Sequence, residues 1–211
     1  MVRTPFYTLI VCFIAAGCAP QTNSNNLPPA QDLSAVQHDL GPDCSDTGTN
    51  LLINPSFEMN SSGSANNTGN PASTIASWNG CCSGGGGTTW QITQLVSHCG
   101  KNSISVQSTN ATTNVLVQGL NMSGDAGMTF HLSGWLFVSQ IGTGGQILLD
   151  VFDLTKNAVV ASTVALSATT SDWFQLAQSG TVPTGGNFQV RINNSGTIQQ
   201  AYVDDVSLTI P

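Results

Sequence analysis

The chain has 211 residues and a formal net charge of −7, with only 7% of its residues charged. Its 4 Lys and Arg residues are scattered, so no basic patch exists to displace counterions from a phosphate backbone, and nucleic acid is excluded as a partner. Solubility must come from Gly, Ser, Thr, Asn and Gln, a balance common in secreted all-β proteins.

Residues 1–17 read as a lipoprotein signal peptide. Arg3 supplies the positive start, Phe6 to Ala16 the apolar core, and Ala15-Ala16-Gly17-Cys18 the cleavage box, with Ala15 where a larger aliphatic residue is commoner. The apolar run is too short to span a bilayer. Cleavage before Cys18 leaves a cysteine able to carry a thioether diacylglyceride and an N-terminal acyl chain, and two or more chains anchor stably where one does not. Ala19 follows in place of the aspartate associated with inner-membrane retention, which favours the outer membrane or cell surface. Residues 18–49, rich in Pro, Gln, Asn, Ser and Asp, have the composition of a flexible tether. A helical turn over Asp32 to Leu40 would end at Gly41-Pro42 and is too short to stand alone.

Of the 6 cysteines, Cys12 falls in the signal and Cys18 at the acylation site. Cys44, Cys81, Cys82 and Cys99 remain in the exported part, where two disulfides are expected. Joining Cys81 to Cys82 needs a strained ring, so one of that pair is expected to bridge Cys44 and the other Cys99.

From Asn50 onward the chain is long enough for one domain with its own core. Runs enriched in β-branched and aromatic residues cover Thr88 to Val96, Ser103 to Gln107, Asn114 to Leu120, Met128 to Val138, Gln146 to Leu154, Ala158 to Leu166, Trp173 to Thr181, Asn187 to Ile192 and Gln200 to Ile210. Turn sequences such as Gly124-Asp125-Ala126-Gly127 and Asn193-Asn194-Ser195-Gly196 punctuate them. The pattern predicts an all-β, two-sheet sandwich over residues 50–211, a jelly roll, with no long amphipathic helix.

The two ends of this region carry more. Asn50-Leu51-Leu52-Ile53-Asn54-Pro55-Ser56-Phe57-Glu58 and Ala201-Tyr202-Val203-Asp204-Asp205-Val206-Ser207-Leu208 resemble the first and last strands of carbohydrate-binding modules of families 4 and 9. Between them Trp78, the turn Gly100-Lys101-Asn102-Ser103 and the strand Phe130-His131-Leu132-Ser133-Gly134-Trp135 fall in family order. The resemblance implies a galactose-binding-like jelly roll with its ends close together. It also implies a calcium ion held by Glu58 and Asp204, with the turn from His98 to Lys101 as carbonyl donor, and it places Trp78 and Trp173 in the packing of the sandwich.

A sugar site needs an aromatic platform with amides and carboxylates at its edge. Trp135 and Phe137 share one strand face, opposite Phe130, Leu132, Leu136 and Val138. Trp90 follows the glycine run with Gln91 and Gln94 near it. Trp90, Trp135, Phe137, Gln91 and Gln94 are therefore the expected contacts to polysaccharide or a cell-surface glycan. A glycosidase would need paired carboxylates; Glu58 is the only glutamate, Asp150 and Asp153 sit at odd spacing, and Asp204 and Asp205 are adjacent and expected to diverge. No nucleophile elbow or metal-protease motif occurs, so a non-catalytic, surface-anchored binding module is expected. A structural or adhesion domain without a sugar site is the alternative.

Overall fold

The computed structural model describes residues 50–211 apart from 60–61, 67–72, 82–86 and 110–112. The signal, Cys18, the tether, Cys44, Cys82 and the side chain of Cys81 lie outside the described residues.

Eleven strands are described: β1 (Ser64–Asn66), β2 (Asn79–Cys81), β3 (Thr88–Thr93), β4 (Ser103–Ser108), β5 (Asn114–Asn121), β6 (Thr129–Ile141), β7 (Gln146–Asp153), β8 (Ala158–Ser162), β9 (Phe174–Thr181), β10 (Asn187–Ser195) and β11 (Ile198–Thr209). They form two antiparallel sheets, the first ordered β1-β3-β4-β11-β6-β9 and the second β2-β5-β10-β7-β8. Residues from both inner faces interlock as the core. On β6, Phe130, Leu132, Leu136 and Val138 point inward, against Leu149 and Val151 of β7 and Val190 and Ile192 of β10. Each such side chain stabilises the fold by about 1.5–3 kcal/mol through burial. Gly134 sits in the same inward series because a Cβ there would lie 2.7 Å from Leu149 Cδ1.

One expected strand is absent. Residues 51–59 form turns, and Asn50 makes only an isolated bridge to Thr209. The cause is local, since Asn54 and Phe57 adopt positive φ values of 55° and 61°, which no extended strand permits. Asn54 holds the bend by accepting from the Met59 N–H at 2.9 Å and donating through Nδ2 to the Ala76 carbonyl. Phe57 is thereby driven into the core, its ring 5.6 Å from that of Trp78, whose Nε1 donates to the Asn54 carbonyl. The ends of the domain still meet. Leu51 N–H donates to the Leu208 carbonyl at 2.8 Å and Val206 N–H to that of Pro55.

Candidate functional site

Alternation along β3 turns Thr88, Trp90 and Ile92 inward and Thr89 and Gln91 outward. Trp90 is consequently 0% exposed, which removes it as a sugar platform. Gln91 lies on the opposite face of the strand from Trp90 and is exposed, while Gln94, also exposed, donates to Asn102 Oδ1 at 3.1 Å. The expected grouping of Trp90 with Gln91 and Gln94 does not form: strand parity sends Gln91 to the face opposite Trp90, and Gln94 lies beyond the end of β3, exposed and bonded to Asn102.

Trp135 and Phe137 do share the outer face of the first sheet. Phe137 is nevertheless buried, stacked on Tyr202 at 5.9 Å and tilted against Trp173 at 6.0 Å in a small second core that includes Val96. It is not a free platform. Trp135 is half-buried at the margin of this cluster, its ring stacked on that of His98 at 4.0 Å and 14°, with Trp173 edge-on to the same imidazole.

His98 belongs to a turn gripped by three carboxylates. Asp204 Oδ2 accepts from the N–H groups of His98 (2.9 Å) and Cys99 (3.1 Å), and Asp205 Oδ2 lies 2.7 Å from His98 Nδ1. At the other end, Glu58 Oε1 accepts from the N–H groups of Lys101 (2.8 Å) and Asn102 (2.7 Å). Asp204 and Asp205 were expected to diverge; they converge because β11 has a one-residue irregularity between Asp204 and Ser207 and Asp205 takes φ 47°. Asp204 is fully buried. Desolvation first, and the charge of Asp205 second, push its carboxyl well above the usual range, against the opposing pull of three backbone N–H groups.

The same turn bears on calcium. It presents N–H groups to Glu58 and Asp204 where carbonyls were expected, and the Gly100 carbonyl accepts from Ser97 Oγ. No three acidic, His or Cys side chains gather as a metal group among the described residues. Calcium takes 6 to 8 oxygens, so this arrangement supplies few of them. Cys99, on this turn, is buried.

A third constellation escaped the sequence reading. On the outer face of the second sheet, register sets Asp150 of β7 beside Arg191 of β10, which in turn faces Val117 of β5. Arg191 donates through Nε to Asp150 Oδ1 at 2.5 Å and through Nη2 to Oδ2 at 2.8 Å, and Asn193 Nδ2 donates to the same Oδ2 at 3.2 Å. The guanidinium lies 3.9 Å from the centre of the Phe152 ring. One row further, Phe152, Gln189 and Gly119 are cross-strand neighbours, and a Cβ on Gly119 would meet nothing within 4 Å. Asp150 is only 2% exposed, yet Arg191, Asn193, Gln189 and Phe152 are half-buried, so the face has a closed floor and a polar, partly aromatic surface. The signal for it was present in β10, where Gln189, Arg191 and Asn193 alternate with Val190 and Ile192.

No family model matches the chain, and no curated protein matches it. Among solved structures it is similar to the enzymatically active domain of bacteriophage CBA120 tailspike protein 4, with a TM-score of 0.54 and 14% identity, covering 77% of this chain and 22% of that one. It is similar as well to TmCBM61 in complex with β-1,4-galactotriose, with a TM-score of 0.51 and 14% identity over 78% of this chain and 100% of that one. A structure described as CBM4 gives a TM-score of 0.50 and 14% identity over 76% and 99%. The chain thus spans the full length of the TmCBM61 module and about a fifth of the tailspike chain. Its fold is the jelly-roll sandwich of carbohydrate-binding modules.

Proposed function

We propose that the chain binds polysaccharide without cleaving it, through the outer face of the second sheet. The observation that carries this is the Asp150–Arg191 pair lying over Phe152 beside Asn193 and Gln189, with open space above Gly119. Such a face offers sugar hydroxyls fixed donors and acceptors next to a ring, the mix expected of a carbohydrate surface. The shared fold supports the reading. Binding without hydrolysis is supported by the engagement of Glu58, Asp150, Asp204 and Asp205 with donors of their own, which leaves none of them free to face another across a glycosidic bond.

Retention on insoluble polysaccharide tests it. Arg191→Gln should lose retention while Trp135→Ala keeps it; the reverse would move the sugar site to the first sheet, and release of reducing sugar would end the non-catalytic reading.

We further propose lipid anchoring at Cys18, a tether over residues 18–49, and display at the outer membrane or cell surface. Detergent-phase partitioning that disappears in Cys18→Ala tests this. Disulfides joining Cys44, Cys81, Cys82 and Cys99 in two pairs are proposed too, to be checked by peptide mapping without reduction. Calcium at Glu58 and Asp204 is proposed as well, because Asp204 is a buried carboxylate beside Asp205, with no Lys or Arg paired to it among the described residues. A cation would relieve that repulsion.

A further inference from the structure

We infer that the Asp150–Arg191 pair is a charge filter, which makes the outer face of the second sheet selective for uncharged glycans over uronates. The inference rests on the proposed polysaccharide binding and adds the class of sugar.

The chain has 4 cationic side chains, and those among the described residues are Lys101, Lys156 and Arg191. Lys156 sits in the turn after β7, 3.8 Å from Asp153, and Lys101 lies on the turn gripped by Glu58. Arg191 is thus the cation of the β7–β10 face, and it is neutralised in place. A guanidinium has five N–H donors, and the bidentate bond to Asp150 uses two of them. Those not spent on Asp150 can still donate to hydroxyl oxygens, which need direction but no net charge. A sugar carboxylate needs more. It must displace or compete with Asp150, which is buried, held by three donors and unable to leave, and it must approach a chain of net charge −7. The neighbours available to help, Gln189 and Asn193, are neutral.

Removing the negative partner should invert the preference. Asp150→Asn keeps the shape and one acceptor but leaves the guanidinium with an uncompensated charge beside open space. The full chain in detergent is titrated with a neutral galactan or xylan and with polygalacturonate, at low salt and again at high salt. The wild type should bind a neutral polymer and not the polyuronate; Asp150→Asn should gain polyuronate binding by about tenfold or more, an effect that salt removes. Should Asp150→Asn fail to fold, Gln189→Lys leaves the pair intact and adds an unpaired cation one row away, and the same gain is expected. Polyuronate binding by the wild type, or no gain in a folded variant, overturns the filter and leaves polysaccharide binding standing. Binding of neither polymer class overturns both.

Discussion

Asp204 and Asp205, adjacent in the chain, both close on His98, one through its backbone N–H and the other through its ring. Strand alternation would send them to opposite faces. The positive φ at Asp205 redirects the second carboxylate, and the turn from His98 to Asn102 is consequently held from β11 as well as from Glu58.

This arrangement gives Asp204 a distinct pH signature. Its folded-state pKa is raised, so between its unfolded value of about 3.9 and the folded value the native state holds the extra proton. Stability from this group is therefore fully present below the unfolded value and is lost as pH rises through the folded one. Melting curves without calcium should show a wild-type Tm that declines relative to Asp204→Asn as pH rises above the usual carboxylate range. Parallel pH profiles for the two proteins would refute the assignment.

Calcium would reverse that sign. An ion beside Asp204 favours the ionised carboxylate, and a site saturated a hundredfold above its dissociation constant stabilises the fold by about 2.7 kcal/mol. The expected outcome is a Tm lowered by chelator in the wild type and unchanged by it in Glu58→Gln. Identical wild-type curves with and without calcium, after verified metal removal, defeat the proposal.

Trp90 should behave as a core residue. Trp90→Ala is expected to cost about 3–5 kcal/mol, measured by denaturant unfolding. Its Nε1 is buried without a hydrogen-bond partner, so Trp90→Phe should cost much less than truncation, because it deletes an unmet donor while keeping a ring. A Trp90→Phe loss as large as that of Trp90→Ala would contradict this placement.

Gly100 is constrained twice. Its φ is +69°, and an added Cβ would collide with Glu58 Oε1, the atom that accepts from Lys101 and Asn102. Gly100→Ala should destabilise by more than about 1 kcal/mol, and the loss should shrink in a Glu58→Ala background, where the obstructing carboxylate is gone. Equal losses in both backgrounds would leave φ as the sole cause.

The sandwich was legible because most strands carry their period openly. The apolar positions of β6 and β10 recur every second residue, and the expected runs coincide with observed strands to within a few residues. The segment after Asn50 was not, since nothing in its composition announces positive φ at Asn54 and Phe57, and its apolar residues read as a strand. Trp90 could have been assigned to the core from Thr88 and Ile92 on the same face; proximity to the glycine run suggested exposure instead. The Asp150–Arg191 pair was beyond local reading, because it depends on β10 lying between β5 and β7, an order that only the assembled sheet establishes.

Asn50 has a mechanical consequence. Its Nδ2 donates to the Val206 carbonyl, and its Oδ1 accepts from the N–H groups of Leu52 and Leu208, so the chain entering the domain is stitched to β11. β11 lies inside its sheet, bonded to β4 on one side and β6 on the other. A pull arriving through the residues before Asn50 loads the Asn50 bonds and those joining Leu51 to Leu208 and Pro55 to Val206 together, so the entering segment is held at several points along an inner strand and must break them before it peels away.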